Sequence, residues 1–111
     1  MEFNDYQNQI KNYANFNVEL GPYITGLNCA TNTGKLTEIL STILNSKSGI
    51  TQKDIAKLEL VLGDLLFWIT TTASTLGIEL DEVAVMNIRK NFLIHQKEIE
   101  STKKINAHET L

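Results

Sequence analysis

The stretch Leu60-Val61-Leu62-Gly63-Asp64-Leu65-Leu66-Phe67-Trp68-Ile69 is the most apolar part of the chain. Its large apolar side chains cover nearly every direction around a helix axis, and a helix that is apolar on all sides has to be covered on all sides. Four helices of a 111-residue chain cannot enclose one of their own completely. A second copy of the chain is the natural cover, so the sequence predicts a homodimer or homotetramer with this helix at its centre.

Helix-terminating signals flank this stretch on both sides. Thr51 followed by Asp54 has the pattern of a capping box and predicts the start of a third helix there. Gly77 is a suitable residue to end that helix, because glycine readily adopts the left-handed conformation of a helix C-terminus. A fourth helix is predicted to begin near Leu80.

The rest of the chain is predicted to be helical as well. Apolar residues at helical spacing predict a first helix over 3–16, a loop over 17–23 and a second helix over 25–45. No alternation typical of strands occurs, so the predicted fold is an all-α, four-helix bundle. We expect a single domain over 1–99, followed by a polar C-terminal tail over 100–111 that frays.

The composition excludes several classes of protein. Apolar residues make up 42% and charged residues 21%, which is typical of a soluble globular domain. The net charge of −3 argues against binding to nucleic acid, which needs clustered basic residues. Cys29 is the only cysteine, and no apolar run approaches the length of a membrane span. These features predict a cytoplasmic protein with no membrane partner.

Several short segments carry a resemblance to a known family. They are Gly26-Leu27, Gly34-Lys35-Leu36, Gly63-Asp64-Leu65-Leu66-Phe67-Trp68, Leu76-Gly77-Ile78 and Asn87-x-x-Lys90. In this order and spacing the chain resembles the MazG-like all-α nucleotide pyrophosphohydrolases, over roughly residues 4–95. The resemblance implies a MazG-like bundle and a pocket for a nucleotide.

The resemblance also implies a Mg²⁺ site, which this chain departs from. The family holds the metal with an E-x-x-E pair on the second helix and an E-x-x-D pair on the third. The corresponding positions here are Asn32 and Lys35, then Val61 and Asp64, so only Asp64 keeps a carboxylate. This set cannot bind Mg²⁺ well, and the hydrolysis depends on that metal. We therefore expect no cofactor and lean towards an inactive homologue of the enzyme.

The remaining side chains suggest a ligand site without a metal. The ammonium of Lys35 either meets a ligand phosphate directly or forms an ion pair with Asp64. Trp68 lies one turn from Asp64, where it could stack on a base or belong to the core. Lys90 adds a second positive charge and Asn87 a hydrogen-bonding amide. The candidate ligand-binding residues are Asn32, Lys35, Asp64, Trp68, Asn87 and Lys90.

Three functions are compatible with these residues. The first is a non-catalytic protein that binds and sequesters a nucleotide or a nucleotide-derived signal. Such a role would suit a phage counter-defence protein that acts as a sponge in the host cytoplasm. The second is a weak or altered nucleoside triphosphate pyrophosphohydrolase that takes carboxylates from Glu38 or Glu59. The third is a structural helical bundle that binds a protein partner through its third helix.

Overall fold

The described part of the chain forms four α-helices. The computed structural model describes residues 1–14 and 19–109, and no strand occurs among them, which confirms the all-α prediction. The helices are α1 (Phe3–Ile10), α2 (Gly21–Ser46), α3 (Gln52–Thr75) and α4 (Leu80–Glu109). They form two compact units, Met1–Leu80 and Asp81–Leu111.

The first two helices have different bounds from those predicted. α1 ends at Ile10 and a turn follows at 11–13, because Asn12 favours turn conformations over a helix interior. Phe16, which was expected in the first helix, lies outside the described residues. α2 begins at Gly21, within the predicted loop. Pro22 is compatible with the first helical turn, because the backbone N–H that proline lacks would have no acceptor within the helix at that position.

α4 also runs further than predicted. It continues to Glu109, through most of the segment that was expected to fray. That segment contains no Gly or Pro, and Glu100 and Lys104 have the spacing at which opposite charges stabilise a helix.

The predicted ends of α3 are confirmed. The Asp54 N–H donates to the Thr51 hydroxyl at 3.2 Å, and the Thr51 N–H donates to the Asp54 carboxylate at 3.0 Å. At the other end Gly77 is left-handed with φ of 69°. The N–H of Ile78 then bonds to the carbonyl of Ala73 at 2.8 Å, which completes a Schellman motif.

α2 and α3 form an antiparallel hairpin joined by residues 47–51. The buried side chains of the hairpin are small or polar: Thr25, Asn32, Val61, Thr70, Thr71 and Ala73. The buried threonine hydroxyls donate to carbonyls of their own helix, as Thr25 does to Gly21 at 2.9 Å. No buried side-chain nitrogen or oxygen of the described residues lacks a hydrogen-bond partner.

α1 packs against the C-terminal part of α3 through the buried side chain of Gln7. Its amide nitrogen donates to the Ser74 hydroxyl at 3.1 Å and to the Ile78 carbonyl at 2.8 Å. Its amide oxygen accepts the N–H of Leu80 at 2.8 Å. One side chain thus joins α1 to the end of α3 and to the first residue of α4.

Within the first compact unit, α1 and α2 do not cover α3 on all sides. Leu60, Leu62 and Ile69 are exposed, with Leu60 at 73%. Among the described residues, no single helix is long and apolar enough to cross a membrane, whereas α3 and α4 meet those criteria only as a joined pair.

Candidate functional site

The two α2 residues of the candidate site lie in different environments. Asn32 is buried, and its amide nitrogen donates to the carbonyl of Asn28 at 2.8 Å within the same helix. Lys35 follows less than one turn later and is exposed to solvent. The amide of Asn32 is therefore partly committed to its own helix, whereas the ammonium of Lys35 is accessible.

The α3 residues differ in the same way. Val61 is buried, Trp68 is half-buried with its ring edge-on to Phe67 at 5.0 Å, and Asp64 is exposed. Although Asp64 lies in the most apolar part of the chain, its carboxylate is not a buried charge, because the side of α3 that carries it is open to solvent. Its carboxylate needs neither a partner nor a cation to offset burial.

The register of the hairpin brings Lys35 and Asp64 to similar levels. The Cys29 sulfur lies 3.9 Å from the Thr72 hydroxyl oxygen, which fixes two opposed positions. Lys35 is six residues after Cys29 and Asp64 is eight residues before Thr72. At about 1.5 Å per residue the two levels differ by roughly 3 Å.

The same register places Asn32 opposite Trp68. Asn32 is three residues after Cys29, and Trp68 is four residues before Thr72. The hairpin therefore brings four predicted site residues to one short stretch: Asn32, Lys35, Asp64 and Trp68.

Lys35 and Asp64 also share a face of the hairpin. Each follows a buried residue of its helix by three positions, Lys35 after Asn32 and Asp64 after Val61. Three residues amount to a backward rotation of about 60° on a helix. Because α2 and α3 are antiparallel, this rotation turns both side chains towards the same side, which we call the polar face.

No ion pair joins these two side chains, nor does any involve Lys35, in the part of the chain that the structure describes. Two roles were considered for Lys35, and one of them, the ion pair with Asp64, is thus not formed in this structure. The ammonium does not have to leave a carboxylate before it meets an anion.

Asn87 and Lys90 belong to the other compact unit, on α4. Both are exposed, and their spacing of three residues puts them on one side of that helix. The side-chain oxygen of Asn87 accepts from the Asn91 amide at 3.0 Å.

The residues at the implied metal positions do not fit Mg²⁺. Only Asp64 offers a carboxylate, Val61 offers no donor atom, and Lys35 carries a positive charge. No group of three or more His, Cys, Asp or Glu side chains suited to a metal was found in the described residues.

Two clefts were not predicted. One of about 320 Å³ surrounds Gln7 and is lined by polar groups that include Asn4, Asn8 and Ser74. The other, of about 170 Å³, lies between the next turns of α2 and α3 and contains Glu38 and Lys57. Glu38 had been considered as a substitute carboxylate, but its place beside Lys57 in one cleft could be identified only once the packing of the two helices was known.

The chain matches no protein-family model, no curated protein and no solved structure.

Proposed function

We propose that this protein binds a nucleotide-type anion on the polar face of the α2–α3 hairpin and leaves it intact. The observation that carries the proposal is the Lys35 ammonium, which is exposed and has no carboxylate partner although Asp64 lies at a similar level. An ammonium in this state can meet a phosphate oxygen as a point charge without first breaking an ion pair.

The residues around Lys35 support a ligand with both a phosphate and a base. Trp68 lies opposite Asn32 on the same stretch of the hairpin, and its half-buried indole offers an aromatic edge or face to a base. A protein that binds such a ligand and does not cleave it would act by sequestering it.

The absence of hydrolysis follows from the donor atoms of this chain. Val61 is buried in the hairpin and has no oxygen to offer, and the Asn32 amide bonds to its own helix. Neither side chain could replace a missing carboxylate by changing its rotamer. Charge on the phosphates would then be balanced by Lys35 and not by a divalent ion.

Calorimetric titration with ATP, ADP and inorganic pyrophosphate, each with and without EDTA, tests the proposal. We expect binding that EDTA does not weaken. Lys35→Ala should raise the dissociation constant about ten- to a hundredfold, because a hydrogen bond to a charged group contributes about 1.5–3 kcal/mol. Lys53→Ala, which removes an exposed lysine from the first turn of α3, is the matched control and should leave the affinity unchanged.

Asp64→Asn tests the geometry of the polar face. Pyrophosphate has no ribose hydroxyl for Asp64 to accept from and carries a multiple negative charge that Asp64 repels, so the variant should bind it up to about fivefold more tightly. Equal affinity of Lys35→Ala and the wild type for all three probes, or turnover of ATP that EDTA abolishes, would overturn the proposal.

A further inference from the structure

The side of the hairpin opposite the polar face carries a continuous row of exposed apolar side chains. Each of them directly follows a buried or half-buried residue, as Leu40 follows Ile39 and Leu62 follows Val61. One residue is a forward rotation of about 100°, so on two antiparallel helices these side chains turn to the same side. We call this side the apolar face; it consists of Leu40, Leu44, Ile55, Leu62, Ile69 and Leu76.

The α3 members of the apolar face have a spacing that favours packing against another helix. Ile55, Leu62, Ile69 and Leu76 are each seven residues apart. A seven-residue apolar repeat keeps one side of a helix towards a partner along a shallow left-handed supercoil. α1, α2 and the connecting turns leave this row partly uncovered, since its four side chains are between 39% and 56% exposed.

The α2 residues of the apolar face, Leu40 and Leu44, extend it towards the turn that joins α2 to α3. Leu40 and Leu44 line an open cleft of about 380 Å³ together with Ile50 from the connection between α2 and α3. Leu44 is 80% exposed at the rim of this cleft. The face thus offers both projecting side chains and a hollow, which is the form that self-complementary packing needs.

From these observations we infer that the apolar face is the surface on which two copies of this chain pair about a two-fold axis. The exposed fractions of its six residues amount to roughly 600 Å², which is at the lower end of the area that each partner of a standard interface buries. A face with no charged member is complementary to itself, as a two-fold interface requires. The polar faces of both copies would then point away from the interface, so that each copy keeps its own Lys35 and Asp64.

Sedimentation velocity over a concentration series tests the pairing with two matched variants. Leu62→Glu places a carboxylate on the apolar face, whereas Leu60→Glu places one on the same helix at an exposed position outside that face. We expect wild type and Leu60→Glu to sediment as dimers of the 12.5 kDa chain. Leu62→Glu should raise the dimer dissociation constant about a hundredfold or more, because each dimer would bury two uncompensated charges.

A mixing experiment separates loss of pairing from loss of folding. Leu62→Glu and Leu62→Lys should each be monomeric, and an equimolar mixture should dimerise more tightly than either variant alone, because attraction between opposite charges replaces the like-charge repulsion of each homodimer. A monomeric wild type, equal dissociation of the Leu60 and Leu62 variants, or unfolded variants that mixing does not restore would each overturn the inference. The last result would mean that another part of the same chain covers the apolar face.

Discussion

At the scale of single residues, the Gln7 side chain makes three hydrogen bonds to residues that are distant in the sequence. Its amide oxygen accepts the N–H of Leu80, one of the N–H groups at a helix start that have no acceptor within the helix. Its amide nitrogen satisfies the Ile78 carbonyl in the preceding turn. The local sequence around Gln7 gives no sign of this, because its partners lie 67 to 73 residues away.

Replacement of Gln7 should therefore be costly. Gln7→Ala leaves a buried N–H and a carbonyl without partners, and we expect it to lower the free energy of unfolding by about 2–3 kcal/mol. Chemical denaturation followed by circular dichroism measures this change. Gln9→Ala removes the same side chain from an exposed position of the same helix and should stay within about 0.5 kcal/mol of wild type. Similar losses in both variants would show that the three hydrogen bonds contribute little.

At the scale of the helices, the ends of α3 are determined by local chemistry that the sequence displays. Hydrogen bonds from Thr51, with smaller contributions from Lys57 and Lys53, hold the pKa of the Asp54 carboxyl below its ordinary value. A carboxyl whose pKa is lower in the folded state stabilises that state above its unfolded pKa. The stabilisation is lost as the pH falls through the folded pKa.

The direction of this pKa shift determines how the stability of Asp54→Asn should depend on pH. We expect the variant to melt at a lower temperature than wild type at neutral pH, where the wild-type carboxylate is charged. The difference between the two melting temperatures should become smaller in acid, because the wild-type carboxyl is protonated below its folded pKa. Melting curves recorded from neutral pH down into the acid range measure it, and a gap that does not change with pH would contradict the assignment.

Substitution by alanine should change the stability in opposite directions at two glycines of this segment, Gly77 and Gly63. Gly77 has φ of 69°, which a Cβ disfavours even though no heavy atom lies within 4 Å of the added carbon. Gly77→Ala should therefore destabilise the protein by about 1 kcal/mol. Gly63 lies inside α3 with the same open space, so Gly63→Ala should stabilise by about 0.5–1 kcal/mol. Denaturant titrations of both variants give the two values, and a shift of the same sign in both would contradict this account.

The ends of α2 and α3 show which features of the fold can be predicted from the sequence alone. The capping box at Thr51 and the stop at Gly77 depend on neighbouring residues, and both were predicted correctly. The start of α2 was missed because Gly21-Pro22 is compatible with a loop or with a first helical turn. The exposure of Asp64 and its level relative to Lys35 depend on the register of two helices, which no local pattern encodes. The sequence could propose candidate site residues, whereas their arrangement could not be predicted from it.

At the scale of the whole molecule, binding without turnover has a stoichiometric signature. A binding protein removes ligand only in proportion to its own amount, whereas an enzyme continues until the substrate is consumed. With ATP in excess, the bound amount should reach at most one equivalent per chain and then stay constant. Ion-exchange chromatography after denaturation should recover intact ATP. Progressive formation of AMP and pyrophosphate would identify an enzyme instead.

The bond between Gln7 and Leu80 also has a consequence for the order in which the first unit forms during synthesis. The α2–α3 hairpin closes across five residues and can form as soon as both helices have left the ribosome. α1 has only eight residues, too few to persist as a helix alone in water, and its anchor at Leu80 is made last. Of the three helices in the first unit, the one that is translated first is thus the one that docks last.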